Sequence, residues 1–236
     1  RALFERTSQL FTELDETTAA IASGGREPRG RLRISAPLLF SQTAMGKLAA
    51  DFALKYPRVQ LEVTTEDRPV DMIEEAYDLV IRVNPEPDES LIGRAFLHDR
   101  LVIVASPDLT PPVDGSAVPA VVRGQIRQDE IWNVKTPKGP SRIVINPVLS
   151  LSSLVMVRDA VRKGVGAGRL PVSLVGHDIS DGTLVQWGDV DGNEITLWAL
   201  YPSRRLLSAR VSAFLDFLRE AFPKGTPDEL AAYMGR

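Results

Sequence analysis

Leu32, Ile34 and Ala36 alternate with Arg31, Arg33 and Ser35, a period of two that predicts a half-buried strand over 31–36. Pro37 removes a backbone donor and stops it. Met45, Leu48 and Phe52 then share one helical face, with Ser41 or Thr43 placed to cap that helix. Tyr56-Pro57 closes the helix, because a residue before proline avoids the α region. Strand, loop and helix N-terminus is the arrangement by which open α/β sheets hold ligands at the carboxyl ends of their strands. Residues 59–63 alternate as a second strand, 67–76 carry Val70, Ile73 and Ala76 at helical spacing, and 78–83 read as a buried strand. The order βαβαβ predicts a parallel sheet with right-handed crossovers.

Upstream, Leu3, Leu10 and Thr17 form one seven-residue series and Thr7, Leu14 and Ile21 another, with Phe4 and Phe11 beside them. This predicts a helix over 1–23 whose apolar seam needs a partner. No cap precedes Arg1, so the pattern is expected to continue from a longer chain, and Gly24-Gly25 opens a polar linker. Downstream, strands are expected at 91–97, 101–105, 120–122, 131–134, 142–145, 168–170, 183–185 and 195–201. A proline-rich connector follows Ser106-Pro107. Residues 150–163 read as a helix with Leu154, Val157 and Val161 inward, capped by serine and ended by Gly164. A shorter helix opens at Pro171, and Leu207, Val211, Phe214 and Leu218 mark one ending before Pro223. Residues 227–236 add a turn or two, beginning with Asp228 and Glu229.

At 236 residues the chain has room for two modest domains. A net charge of −3 argues against nucleic-acid binding through its bulk surface, which needs a basic stripe. The absence of cysteine removes disulfides, thiolate metal sites and thiol nucleophiles together. No apolar run approaches the roughly 20 residues that span a bilayer, so no membrane partner is expected. Gly164-Val165-Gly166-Ala167-Gly168 follows a helix rather than a strand, which marks a helix cap and a tight approach to the next strand rather than a nucleotide loop. His98 and His177 lack companions at metal-ligand spacing, Glu74-Glu75 point to different sides of a helix, and no Gly-x-Ser-x-Gly elbow occurs. No catalytic set, metal or cofactor is therefore expected. Binding is. Two helices start in hydroxyl-rich loops, Ser41-Gln42-Thr43 and Ser150 with Ser152 and Ser153, and helix N-termini attract anions.

The runs GRLRISAP, Phe52 with Tyr56-Pro57, DRPVDMIEEAYDLVIRV and Val104-Ala105-Ser106-Pro107 resemble the effector-binding portion of LysR-type transcriptional regulators. Gly164, Gly166, Arg169-Leu170-Pro171, Gly182-Thr183-Leu184-Val185 and LWALYPSRRLLSARVSAFLDFL at 197–218 extend the resemblance over roughly 1–222. It implies two Rossmann-like α/β lobes joined by two crossover strands, as in type II periplasmic binding proteins. The first lobe would take 29–104 and 200–222, the second 106–198, with 1–28 a linker and dimerisation helix and 223–236 a tail. It further implies a winged helix-turn-helix before residue 1 that contacts promoter DNA, a homodimer or homotetramer, and a cytoplasmic location. The chain departs from the family pattern at Ala76, at Ala167-Gly168, and in a shorter second lobe between Pro107 and Asn146.

Carried onto this chain, the family's interlobe cleft selects Ser35, Pro37, Phe40, Ser41 and Gln42 from the first lobe. From the second it selects Val122, Arg123, Asn146 and Ser150, with Pro202 near the hinge. Ser41 and Ser150 would donate hydroxyl hydrogen bonds, Phe40 would pack on the ligand, and Arg123 would pair with its charge, so the expected effector is a small organic anion. The alternative reading is a stand-alone solute-binding protein with the same body; an enzyme on this fold lacks an acid–base set.

Overall fold

The computed structural model describes residues 27–235, apart from 73, 113–114, 128–129, 193 and 204–206. The helix expected over 1–23 and the first residues of the linker after it, up to 26, lie outside the described residues. The expected first strand is β1, Gly30–Ala36, with Leu32, Ile34 and Ala36 fully buried. Helix α1 follows over 38–55 as three continuous stretches, α-helical, then π-helical over Ser41–Met45, then α-helical again.

The helix therefore begins before the residues expected to cap it. Ser41 lies inside, its N–H bonded to the Pro37 carbonyl at 2.9 Å, and its hydroxyl turns back to the Ala36 carbonyl at 3.3 Å. Thr43 likewise donates to the Leu39 carbonyl at 2.7 Å. The start is capped from a distance, by the Asp67 carboxylate, which accepts the Leu38 N–H at 2.8 Å.

Strands β2 (Val59–Thr65), β3 (Leu79–Val83) and β4 (Leu91–Asp99) complete the local part of the first sheet. β1 pairs in parallel with β2 from Gly30↔Val59 to Ala36↔Thr65, and with β3 at Ile34↔Leu79. The helix expected over 67–76 does not form. Its described residues form turns and bends, tied by Glu75 N–H to the Asp71 carbonyl and Tyr77 N–H to the Met72 carbonyl, both at 2.9 Å. Pro69 cannot donate within the segment, and Ala76 takes a left-handed φ of 56° that no helix propagates.

The chain then crosses at Arg100 into β5 (Leu101–Ala105), β6 (Val118–Arg123), β7 (Ile131–Thr136) and β8 (Gly139–Leu151). Next come α2 (Leu154–Arg162), β9 (Ala167–Pro171), α3 (Val172–Ser180) and β10 (Val185–Val190). β11 (Ile195–Pro202), α4 (Ala209–Ala221) and α5 (Pro227–Gly235) return to the first lobe. The first sheet runs β2-β1-β3-β11-β4, with β11 antiparallel to both its neighbours. α1 and α4 cover one face, where Leu48, Phe52, Phe214 and Leu218 meet Leu32 and Ile34.

The second sheet closes on itself in the order β10-β5-β9-β6-β8-β7, the last pairing being Val190↔Val134 and Asp189↔Lys135. Ile103, Trp132, Ile143, Ile145 and Trp187 form one apolar cluster, and Val102, Val104, Val121 and Leu170 form another beneath α2 and α3. β8 is longer than its sequence suggests. Pro147 lacks a donor, and the register slips past Val148 so that Ala120↔Pro147 is followed by Val121↔Leu149. The strand resumes through Ser150, so the helix expected from 150 starts only at Leu154.

Candidate functional site

β1, β2 and β3 end together at one edge of the first sheet, with central β1 the point where strand order reverses. Each strand leaves a polar group there. β1 gives Ser35 and the start of α1, β2 leads into Asp67, and β3 carries Arg82. Facing them from the second lobe are Arg123 at the end of β6 and Ser153 before α2.

Among the described residues, hydrogen bonds and apolar packing tie the two walls. Arg123 Nη2 donates to Asp67 Oδ2 at 2.9 Å, while Asp67 Oδ1 holds the Leu38 N–H. Ser153 Oγ donates to Gln42 Oε1 at 3.5 Å. Leu39, on the first turn of α1, packs against the apolar cluster under α2 and α3.

Arg82 is the residue that sequence reading missed. Its guanidinium donates to the Ser35 hydroxyl at 2.9 Å, the Ile81 carbonyl at 2.7 Å, the Ser35 carbonyl at 3.4 Å and the Arg68 carbonyl at 3.5 Å. These partners are neutral oxygens. Burial pushes the guanidinium below its usual range, and the fields of Glu66, Tyr77, Asp67 and Glu75 oppose that. An arginine in such a place keeps its charge. The available signal was a charged residue inside a strand otherwise as apolar as Leu79-Val80-Ile81.

The selected residues divide by position. Ser35 is fully buried and engaged with Arg82, while Pro37 is the turn into α1. Gln42 and Arg123 are exposed and reach across the gap. Ser41 and Ser150 spend their hydroxyls on main chain, Ser150 donating to the Gly124 carbonyl and fastening β8 to the end of β6. Phe40 is 3% exposed and Val122 8%, each a member of an apolar core cluster. Asn146 pairs with Pro119, four positions before Ser150 and so about 13 Å back along β8 from the Arg123 end. Pro202 closes β11 opposite Leu91, whereas the lobe crossing leads into that strand's other end, Ile195. The structure thus brings together Ser35, Pro37, Gln42, Arg123 and Arg82 and sets Asn146 and Pro202 apart.

A separate cavity of about 240 Å³ lies in the first lobe between β4 and the end of α4, lined by Arg94, Phe96, Leu218, Arg219, Phe222 and Lys224. Among the described residues, no three His, Cys, Asp or Glu side chains gather as a metal site. His98 Nδ1 sits 3.2 Å from Thr196 Oγ1, at the foot of the lobe crossing. No helix of the described residues is long and apolar enough to cross a membrane.

The family model described as LysR substrate binding domain matches residues 25–223. The HTH-type transcriptional regulator PtxR of Pseudomonas aeruginosa is 28% identical over 229 residues, covering 92% of this chain and 72% of that protein. DmlR of Escherichia coli, likewise an HTH-type transcriptional regulator, is 26% identical over 234 residues, covering 96% and 76%. Among solved structures, full-length AphB, a virulence activator of Vibrio cholerae, superimposes with a TM-score of 0.68 at 26% identity, covering 91% of this chain and 76% of that one.

Proposed function

This chain belongs to the LysR substrate-binding-domain family, and from that premise we propose that its interlobe cleft takes a small organic anion whose binding sets the activity of a transcriptional regulator. The observation that carries the reading is that each lobe brings a guanidinium to the shared edge of β1, β2 and β3, Arg82 on the Ser35 hydroxyl and Arg123 on the Asp67 carboxylate. An anion held between them favours one lobe arrangement, and it switches the regulator only if its affinity differs between arrangements. The regulator is read as a cytoplasmic homodimer or homotetramer that contacts promoter DNA through a domain preceding residue 1, and it carries out no reaction. The named relatives are transcriptional regulators, which favours this over a transport receptor.

The test is thermal stabilisation of the 236-residue chain by a panel of small organic carboxylates, phosphates and sulfonates. A ligand at 100 times its Kd stabilises the fold by about 2.7 kcal/mol. The expected result is a raised melting temperature with at least one anion, lost in Arg82→Gln and kept in part by Arg82→Lys. Binding that is indifferent to Arg82 and Arg123 alike would place the ligand elsewhere and remove the reading.

A further inference from the structure

The Asp67 carboxylate occupies two donors at the cleft, one of them the Arg123 guanidinium. One oxygen takes the first free amide of α1 at 2.8 Å and the other takes Arg123 of the opposite lobe at 2.9 Å. It does so from the segment between β2 and β3, whose described residues lie in no helix or strand. Glu66 N–H bonds to the Ala36 carbonyl, the Arg68 carbonyl accepts from Arg82 at 3.5 Å, and the Arg68 side chain is clamped to the Glu75 carboxylate by two hydrogen bonds of 2.9 and 2.8 Å. The Asp67–Arg123 pair is half exposed, at 42% and 47% for the two side chains, so water and salt compete with it. Close by, Arg82 rests on neutral oxygens.

We propose that Asp67 is a built-in occupant of the effector site: it clasps the lobes together when no ligand is present, and a small carboxylate acts by displacing it from Arg123 and the Leu38 amide. The inference rests on the cleft reading above and adds the ligand's head group and its competitor. The Leu38 contact is a helix cap, whereas the half-exposed Arg123 contact adds little to the fold and is the part that the proposal explains. A ligand entering the cleft replaces one carboxylate by another at the same two donors. Asp67 is then released to water with its loop, and the lobes are coupled through the ligand instead of through the chain.

Acetate, succinate and benzoate serve as probes, titrated calorimetrically into the 236-residue chain, Asp67→Asn and Arg123→Gln. Lobe separation is read in parallel from spin labels at Glu86→Cys and Lys138→Cys, both exposed positions in a chain that has no cysteine of its own. Asp67→Asn is expected to bind at least one probe about fivefold tighter than the parent, and Arg123→Gln more weakly. Both variants should broaden the ligand-free label distances, since each breaks the same clasp. Arg123→Gln leaves the Asp67 cap on α1 in place, so it reports on the clasp even if Asp67→Asn folds poorly.

Three results would overturn the proposal: equal carboxylate affinity in parent and Asp67→Asn, no carboxylate binding to either, or unchanged label distances in both variants. An organic phosphate or sulfonate that needs Arg82 but ignores Asp67→Asn would sink the clasp and leave the cleft reading standing. Carboxylate binding that ignores Arg82→Gln and Arg123→Gln would sink both.

Discussion

Ser173, in the first turn of α3, donates its hydroxyl to the buried Asp99 carboxylate at 2.5 Å, tying the second lobe's helix to the last residue of β4 where the chain leaves the first sheet. Asp99 also accepts the Arg100 N–H at 2.7 Å and the Ser173 N–H at 3.4 Å. One carboxylate therefore pins the crossing from both sides. The crossing turns about a bonded point rather than a free linker.

That position gives the first prediction. Burial raises the Asp99 pKa above its ordinary 3.8, more than its three hydrogen bonds lower it. For an acid whose folded value is raised, the associated stability is full below the unfolded value and is lost as pH rises through the folded one. Ionising Asp99 thus costs stability from about pH 4 upward, and Asp99→Asn removes that cost. Urea midpoints of parent and variant at pH 4 and pH 7 should move relative to each other, with the variant gaining ground at pH 7. An identical difference at both values would show that the carboxyl is not raised.

Phe40 supplies the second. Its ring lies 5.9 Å from Phe96 and 6.4 Å from Phe222, centroid to centroid, within a cluster that continues to Tyr233. Truncating such a residue removes burial and leaves a cavity, so Phe40→Ala should cost about 3–5 kcal/mol of stability. Denaturant titration measures this. A small stability loss joined to weakened anion binding would return Phe40 to the ligand wall.

The third concerns the glycine-rich turn. Gly164 takes φ 78° after α2, and a Cβ added at Gly166 would stand 2.7 Å from the Pro119 carbonyl oxygen. Backbone on that side cannot swing away as a side chain does. Gly166→Ala should therefore destabilise by about 1–3 kcal/mol. A thermal melt equal to the parent's would mean that β6 and the turn before β9 separate easily.

These examples also mark what the sequence made readable. Alternation at 31–36 located β1, and glycines around 164–168 announced a cap with a close approach, because both signals act within a few residues. The start of α1 was misjudged because its cap, Asp67, lies 29 positions away. A hydroxyl such as Ser41 reads the same whether it caps a helix or bonds back to a preceding carbonyl. Closure of the second sheet depends on Asp189 meeting Lys135, a pairing with no local trace. For the cleft, Arg123 was selected by resemblance, and its partner emerged only once two lobes stood face to face.

The last prediction concerns α5, expected from sequence as a turn or two and found to brace both lobes. Leu230 and Tyr233 are buried in the first lobe's core, at 5% and 8% exposure, and the Tyr233 hydroxyl donates to Asp51 of α1 at 2.9 Å. Lys47, also on α1, reaches the Met234 carbonyl at 2.6 Å near the helix's end. On its other side Ala231 approaches α3 so closely that a Cβ on Gly176 would lie 4.0 Å from its own. At the near end, Glu229 accepts the Gly225 N–H at 2.8 Å and holds the loop that precedes the helix. Leu230→Ala should cost about 2–4 kcal/mol through lost burial and a residual cavity, and Tyr233→Phe about 1 kcal/mol for one hydrogen bond. Because α5 touches α1 and α3 together, Leu230→Ala should also speed hydrogen exchange in α3, whereas Phe40→Ala should leave α3 unchanged. Equal exchange in α3 for both variants would reduce α5 to a cover for the first lobe alone.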